Sequence, residues 1–121
     1  MSGGLGVKDP TPDYLVGDQV LIELALRLRG HLRTTDVLAR WGGEEFVVLL
    51  PHNNVEAAAR LAEKLRQATL ARPFPGAGTL TLSLGVAGYQ PDETLDSWFT
   101  RADNALYAAK AAGRDRVVIA D

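Results

Sequence analysis

Three stretches of helical periodicity, each followed by a short run of strand character, leave this chain few ways to bury its apolar surface. From Asp18 the residues Val20, Leu21, Leu24, Ala25, Leu28 and Leu32 recur at helical spacing, with Glu23, Arg27 and Arg29 between them, and predict an amphipathic helix. Two apolar runs follow, at residues 36–40 and 46–50. They are separated by Trp41, Gly42, Gly43, Glu44 and Glu45 and closed by Pro51, a pattern that predicts a β-hairpin with a glycine turn. Asn53, three residues before Glu56, reads as the cap of a second helix whose stripe is Val55, Ala58, Ala62, Leu65 and Ala68. Residues 79–86 alternate, with Leu80, Leu82, Leu84 and Val86 on one side and Thr79, Thr81 and Ser83 on the other, as a strand requires. Leu95, Trp98, Phe99, Ala102, Ala105, Leu106 and Ala109 form the third stripe, which Gly113 can end with a left-handed cap before a closing strand at 116–119. Tyr107 joins Trp98 and Phe99 at the same spacing, so all three aromatics read as core.

The order αββαβαβ implies a sheet with helices packed on it, of α/β or two-layer α+β type. The first seventeen residues fit neither period and carry four glycines and two prolines. Residues 1–15 therefore read as a linker, tag or irregular arm, and residues 16–121 as one domain; a chain of 121 residues supports a single core.

Charge and composition narrow the partners. Thirteen basic against fifteen acidic residues give a net charge of -2, which offers no general attraction to a nucleic acid polymer or an acidic membrane surface. With no cysteine, disulfides and thiolate metal sites are excluded, which suits a reducing compartment, with cytoplasm the default. No apolar run approaches the roughly 20 residues that span a bilayer, so no membrane contact is expected of this domain; an anchor would lie upstream in a parent protein.

The hairpin tip is the first place where chemistry can be sought. Paired glycines let backbone approach a bulky ligand, and Glu44 and Glu45 offer hard oxygen ligands suited to magnesium. A glycine turn with solvated acids would have the same sequence. Lys110 and Arg114, four apart near the end of the last helix, could meet phosphates or simply complement the helix dipole. Arg33 and Asp36 form RxxD, either an exposed ion pair or an arginine fork for an anion. Asp18 is an acid at a helix start, and His31 and His52 show neither partner nor ligand spacing.

Four segments together resemble the GGDEF family, which condenses two GTP into cyclic di-GMP. RWGGEEFVVLLP is similar to the defining hairpin in its GGEEF form; GDQVLIELALRLRGHLRTTDVLAR resembles the family's helix and entering strand, and TLSLGVA and RADNALYAAKAAGRDRV its later strand and its last helix with the closing strand, covering residues 16–119. The resemblance implies a nucleotide-cyclase, palm-like sheet. It implies that Glu44 and Glu45 are catalytic and hold magnesium or manganese, and that Gly42 and Gly43 make room for GTP. Asp18 would pair with guanine, and Lys110 and Arg114 would contact the phosphates. Arg33, Asp36 and Lys64 would form an inhibitory site for cyclic di-GMP; lysine lacks the fork that an arginine usually brings there, and Arg60 or Arg66 could substitute. The active unit would be a homodimer.

A complete domain of this family also begins with a central buried strand, whose end supplies a metal-binding aspartate, and a following FKxxND segment. Neither is present in this sequence, and Asp9 and Asp13 lie in a stretch without strand character. The two strands flanking the gap would be left with unpaired backbone. The arm folding in, a strand exchanged between two copies, rearrangement of the remaining strands and protein outside this chain are the ways to close it. A catalytically inactive, cyclic di-GMP-binding or dimerising remnant is the competing expectation.

Overall fold

The computed structural model describes residues 5–12, 17–42, 45–51 and 53–120, and for residues 5–11, 41 and 42 the backbone alone. Its elements are β1 (Leu5–Pro12), α1 (Asp18–Arg29), β2 (Val37–Gly42), β3 (Glu45–Leu50), α2 (Val55–Ala71), β4 (Leu82–Gly88), α3 (Leu95–Ala111) and β5 (Arg116–Ile119). The sheet order is β2-β3-β1-β4-β5, with β4 and β5 parallel and the other neighbours antiparallel.

The N-terminal arm corrects the expectation drawn from its composition, because Leu5–Pro12 is the central strand. Leu5 faces Leu50 of β3 and Gly88 of β4, and Lys8 faces Val47 and Gly85. The gap between β3 and β4 is thus closed from within the chain. The register slips between Lys8 and Thr11, the interval that holds Asp9 and Pro10. A proline has no amide to give a ladder, and an irregularity at that point lets the strand continue past it. Backbone pairing on both edges supplies what the side chains of this stretch do not advertise.

Helices cover both faces. On one, Leu21, Leu24 and Leu28 of α1 and Ala62 and Leu65 of α2 meet Phe46, Val48 and Leu50 of β3 and Leu82, Leu84 and Val86 of β4. On the other, Trp98 and Ala102 of α3 pack with Ala87, Leu49 and Phe99. The Thr/Ser side of residues 79–86 is therefore not solvated at its far end, and Ser83 is fully buried. Gly85 permits this approach: a Cβ there would collide with the Ala102 carbonyl oxygen and the Leu106 nitrogen.

Local details shift the expected boundaries. The cap of α2 is Asn54, one residue later than expected, whose side chain accepts from the Ala57 amide at 2.8 Å. Thr69 is buried in place of Ala68, its hydroxyl donating to the Leu65 carbonyl at 3.0 Å. Tyr107 is 75% exposed and is not core, since it lies one step around α3 from Leu106, on the side turned from β4.

Two arginines fasten the layers. Arg27 pairs with Glu23 at 2.8 Å, donates to the carbonyls of Arg72 and Pro73, and lies 3.7 Å above the Phe74 ring, which ties α1 to the connection after α2. Arg101 pairs with Glu93 at 2.7 Å and donates to the Gly88 carbonyl, while the Trp98 indole donates to the Ala87 carbonyl at 2.8 Å. Together they hold the end of β4 to α3.

Gly85→Ala should lower stability by about 3 kcal/mol, because neither neighbour is a flexible side-chain end that can move aside. The urea midpoint measures this. A second expectation concerns acid. Hydrogen bonds from Arg101 hold the Glu93 carboxyl at about 2, below its ordinary 4.5. A folded-state value below the unfolded one means the pair's contribution is complete above about pH 4.5 and lost as pH falls toward 2. The difference in melting temperature between the unaltered chain and Glu93→Gln should shrink across that window.

Candidate functional site

Because β1 runs against both β3 and β4, and β5 runs along β4, one end of the sheet gathers several chain segments. These are the β2–β3 turn, the C-terminal end of β1 and the starts of β4 and β5. Asp18, at the first turn of α1, reaches the same end, with its carboxylate 3.9 Å from the Arg40 guanidinium of β2. Both side chains are largely exposed, so this pair contributes little to stability and leaves Asp18 open to a ligand.

The hairpin is narrow. Gly42 lies opposite Glu45 after a register slip beyond Arg40, and Glu45 is half-buried where β3 begins. Gly43 and Glu44 lie outside the described residues. No group of three or more potential metal ligands occurs among the described residues.

Lys110 and Arg114 arrive at this end from α3. The helix closes with the Arg114 amide donating to the Ala109 carbonyl at 2.9 Å and the Gly113 amide to Lys110 at 3.3 Å, the paired bonds that accompany a left-handed residue after a helix. Gly113 has φ 122, as the sequence predicts, but Arg114 (φ 65) and Asp115 (φ 50) continue in the same unusual region. From Glu45 on β3 to the start of β5 is three ladder spacings, about 14 Å.

At the other end of the hairpin, before β2, Arg33 and Asp36 close a turn on each other. The Arg33 amide donates to Asp36 Oδ2 at 2.8 Å and the Asp36 amide to the Arg33 carbonyl at 3.0 Å. Asp36 thus binds the backbone of Arg33, and of the two alternatives for RxxD the side-chain ion pair does not occur among the described residues. Arg33 lines an open groove of about 400 Å³ together with His31, Asp36, Asn53, Arg60 and Lys64. Arg60 and Lys64 are one turn apart on α2, so this groove gathers three cations against one carboxylate. It lies about 17 Å from the hairpin turn, five strand steps along β2.

Arg66 does not join that groove. It is held by Glu63, at 2.9 Å through Nε and 2.6 Å through Nη2, and by Asp115 Oδ1 at 2.8 Å. The Arg66 hydrogen bond is the main cause that lowers the Glu63 carboxyl to about 2. Of the two arginines expected as substitutes beside Lys64, the groove contains Arg60.

Two residues escaped the sequence reading. His31 lines the groove although nothing in its spacing marked it; its place in the short loop between α1 and Arg33 is the available signal. Arg40 is partner to Asp18 and lines a second groove with Leu21, Leu38 and Phe46, a relation that needs the register of β2 against α1.

Residues 14–116 match the family model described as diguanylate cyclase, GGDEF domain. Diguanylate cyclase DgcP of Pseudomonas aeruginosa is 48% identical over 110 residues, covering 88% of this chain and 16% of that protein. The chain thus spans about a sixth of that relative's length. The active GGEEF domain of a diguanylate cyclase from Vibrio cholerae superposes with a TM-score of 0.87 at 30% identity, covering 98% of this chain and 84% of that one. The GGDEF domain of DgcB from Caulobacter crescentus, solved in complex with c-di-GMP, gives 0.84 at 31% identity over 96% of this chain and 76% of that one.

Asp36→Ala should cost about 1 kcal/mol in a denaturant titration, since it removes the acceptor of the Arg33 amide, whereas Asp36→Asn keeps an acceptor oxygen and should stay within about 0.5 kcal/mol.

Proposed function

The chain belongs to the GGDEF domain family of diguanylate cyclases, and from that premise we propose that its hairpin end condenses two GTP into cyclic di-GMP and that the Arg33 groove binds the product as an inhibitor. The observation that carries this reading is the gathering of the glycine hairpin, Asp18 and the Lys110–Arg114 segment at one end of the sheet. A span of about 14 Å between hairpin and β5 suits a nucleoside triphosphate lying across the strand ends.

In this reading Gly42 and Gly43 leave room for the nucleotide, and Asp18 accepts hydrogen bonds from guanine. Lys110 and Arg114 offset the triphosphate charge. Glu44 and Glu45 hold magnesium or manganese. Two adjacent carboxylates fit such a cation, because magnesium commonly takes one or two carboxylates and completes its shell with substrate phosphates and water. When bound, the cation supplies charge neutralisation at the α-phosphoryl group and the departing diphosphate. The bond that forms joins a ribose 3′-oxygen to the α-phosphorus of the facing GTP, the bond to diphosphate breaks, and in this reading Glu44 is the group that accepts the hydroxyl proton. Each domain presents one GTP, so the active unit is a homodimer. With β1 closing the sheet inside the chain, each copy can fold without exchanging a strand.

The groove supports the second half of the reading. Arg33, Arg60 and Lys64 offer cations for the two phosphates of the dinucleotide, and Arg33 and Asp36 can meet a guanine edge. A purely binding role is the alternative that this groove would equally serve.

Incubation with GTP and magnesium should yield cyclic di-GMP on chromatography, and Glu44→Ala should abolish it. Arg33→Ala should weaken cyclic di-GMP at least about tenfold in a calorimetric titration, the loss of one charge-assisted hydrogen bond, while Glu44→Ala leaves that affinity unchanged. Saturable dinucleotide binding without product would leave only the binding role. Equal loss of affinity in both variants would contradict two separate sites.

A further inference from the structure

Three consecutive residues after α3 have positive φ, Gly113 at 122, Arg114 at 65 and Asp115 at 50. Glycine adopts this region freely, but for arginine and aspartate it costs about 1 kcal/mol each. Asp92 is the other non-glycine residue of this kind among the described residues, so the strain is concentrated where the candidate phosphate cation sits. Such a segment persists only when its surroundings hold it.

Part of the hold is local. The helix-closing bonds fix the amides of Gly113 and Arg114, and Arg116 Nε donates to the Arg114 carbonyl at 2.9 Å. A further anchor comes from a different element: Arg66 of α2 donates to Asp115 Oδ1 at 2.8 Å. Arg66 is itself immobilised by two bonds to Glu63, whose Oε2 also accepts from Gln67 at 2.8 Å, and its side chain is only 19% exposed. A guanidinium fixed by one carboxylate presents its remaining donor in a set direction, with little side-chain freedom left to lose.

We propose that Arg66 is a positioning residue for the triphosphate: by anchoring Asp115 to α2 it keeps residues 113–115 left-handed and so aims the Arg114 side chain at the nucleotide end of the sheet. This rests on the reading that GTP binds there. Without the anchor, Arg114 and Asp115 relax toward ordinary backbone, and the cation turns from the phosphates while α2, the sheet and the Arg33 groove stay as they are.

The test is calorimetric titration of the full chain with the α,β-methylene analogue of GTP plus magnesium, with cyclic di-GMP titrated in parallel. Arg66→Met and Asp115→Ala should each weaken the analogue about tenfold, and the double variant should be no weaker than either single one. Asp115→Asn keeps the acceptor oxygen and suits left-handed backbone, so it should retain most of the affinity. Cyclic di-GMP affinity should not move in any of them. Additive losses, parallel loss of cyclic di-GMP, or an unaffected Arg66→Met beside a weakened Arg114→Ala would overturn the positioning role and leave the proposed function standing. Failure of the unaltered chain to bind the analogue would instead overturn the proposed function, and this role with it.

Discussion

The inward edges of β3 and β4 carry rows of amides and carbonyls that cannot reach one another across the width of a missing strand. β1 satisfies both rows at once, antiparallel on each side, and everything else about the sheet depends on that double pairing. It sets the register that brings the hairpin turn level with the starts of β4 and β5. It also lets a stretch containing two prolines serve as a central strand, by placing the register slip at Asp9 and Pro10.

Once the sheet is closed, its two faces divide the labour. The face under α1 and α2 holds most of the apolar core, with Arg27 fastening α1 to the connection beyond α2 through Phe74. The face under α3 is shaped by Gly85, which brings the helix against the strand, and by Arg101 and Trp98, which bind the carbonyls at the end of β4. The position of α3 in turn decides where Lys110 and Arg114 emerge. The proposed nucleotide end and the proposed inhibitory groove then lie at opposite ends of one hairpin, joined by β2 and by the length of α2.

Much of this was legible in the sequence where side-chain periodicity carries the information. The stripe Val20, Leu21, Leu24 and Leu28, the alternation through Leu82, Leu84 and Val86, and the cap at Gly113 all stand in the structure as their spacing predicts. The central strand was not legible, because its pairing is a backbone property and only Leu5 and Val7 gave it strand character. The burial of Ser83 was not legible, because alternation along one strand cannot report a helix arriving on the second face. Tyr107 read as core because helical spacing alone does not fix the width of a buried stripe. At the candidate sites, the residue types were legible but their partners were not. Asp36 meets the backbone of Arg33, His31 and Arg60 converge with it, and Arg66 turns to Asp115, each a relation between segments distant in sequence or in turn geometry.

Hydrogen exchange at the amides of residues 5–8, followed by NMR, tests the central strand most directly. Those amides should show protection comparable to that of the β3 and β4 amides they lie between, with release in the same cooperative opening. Exchange of those amides at the rate of an unstructured chain, with β3 and β4 still protected, would contradict it.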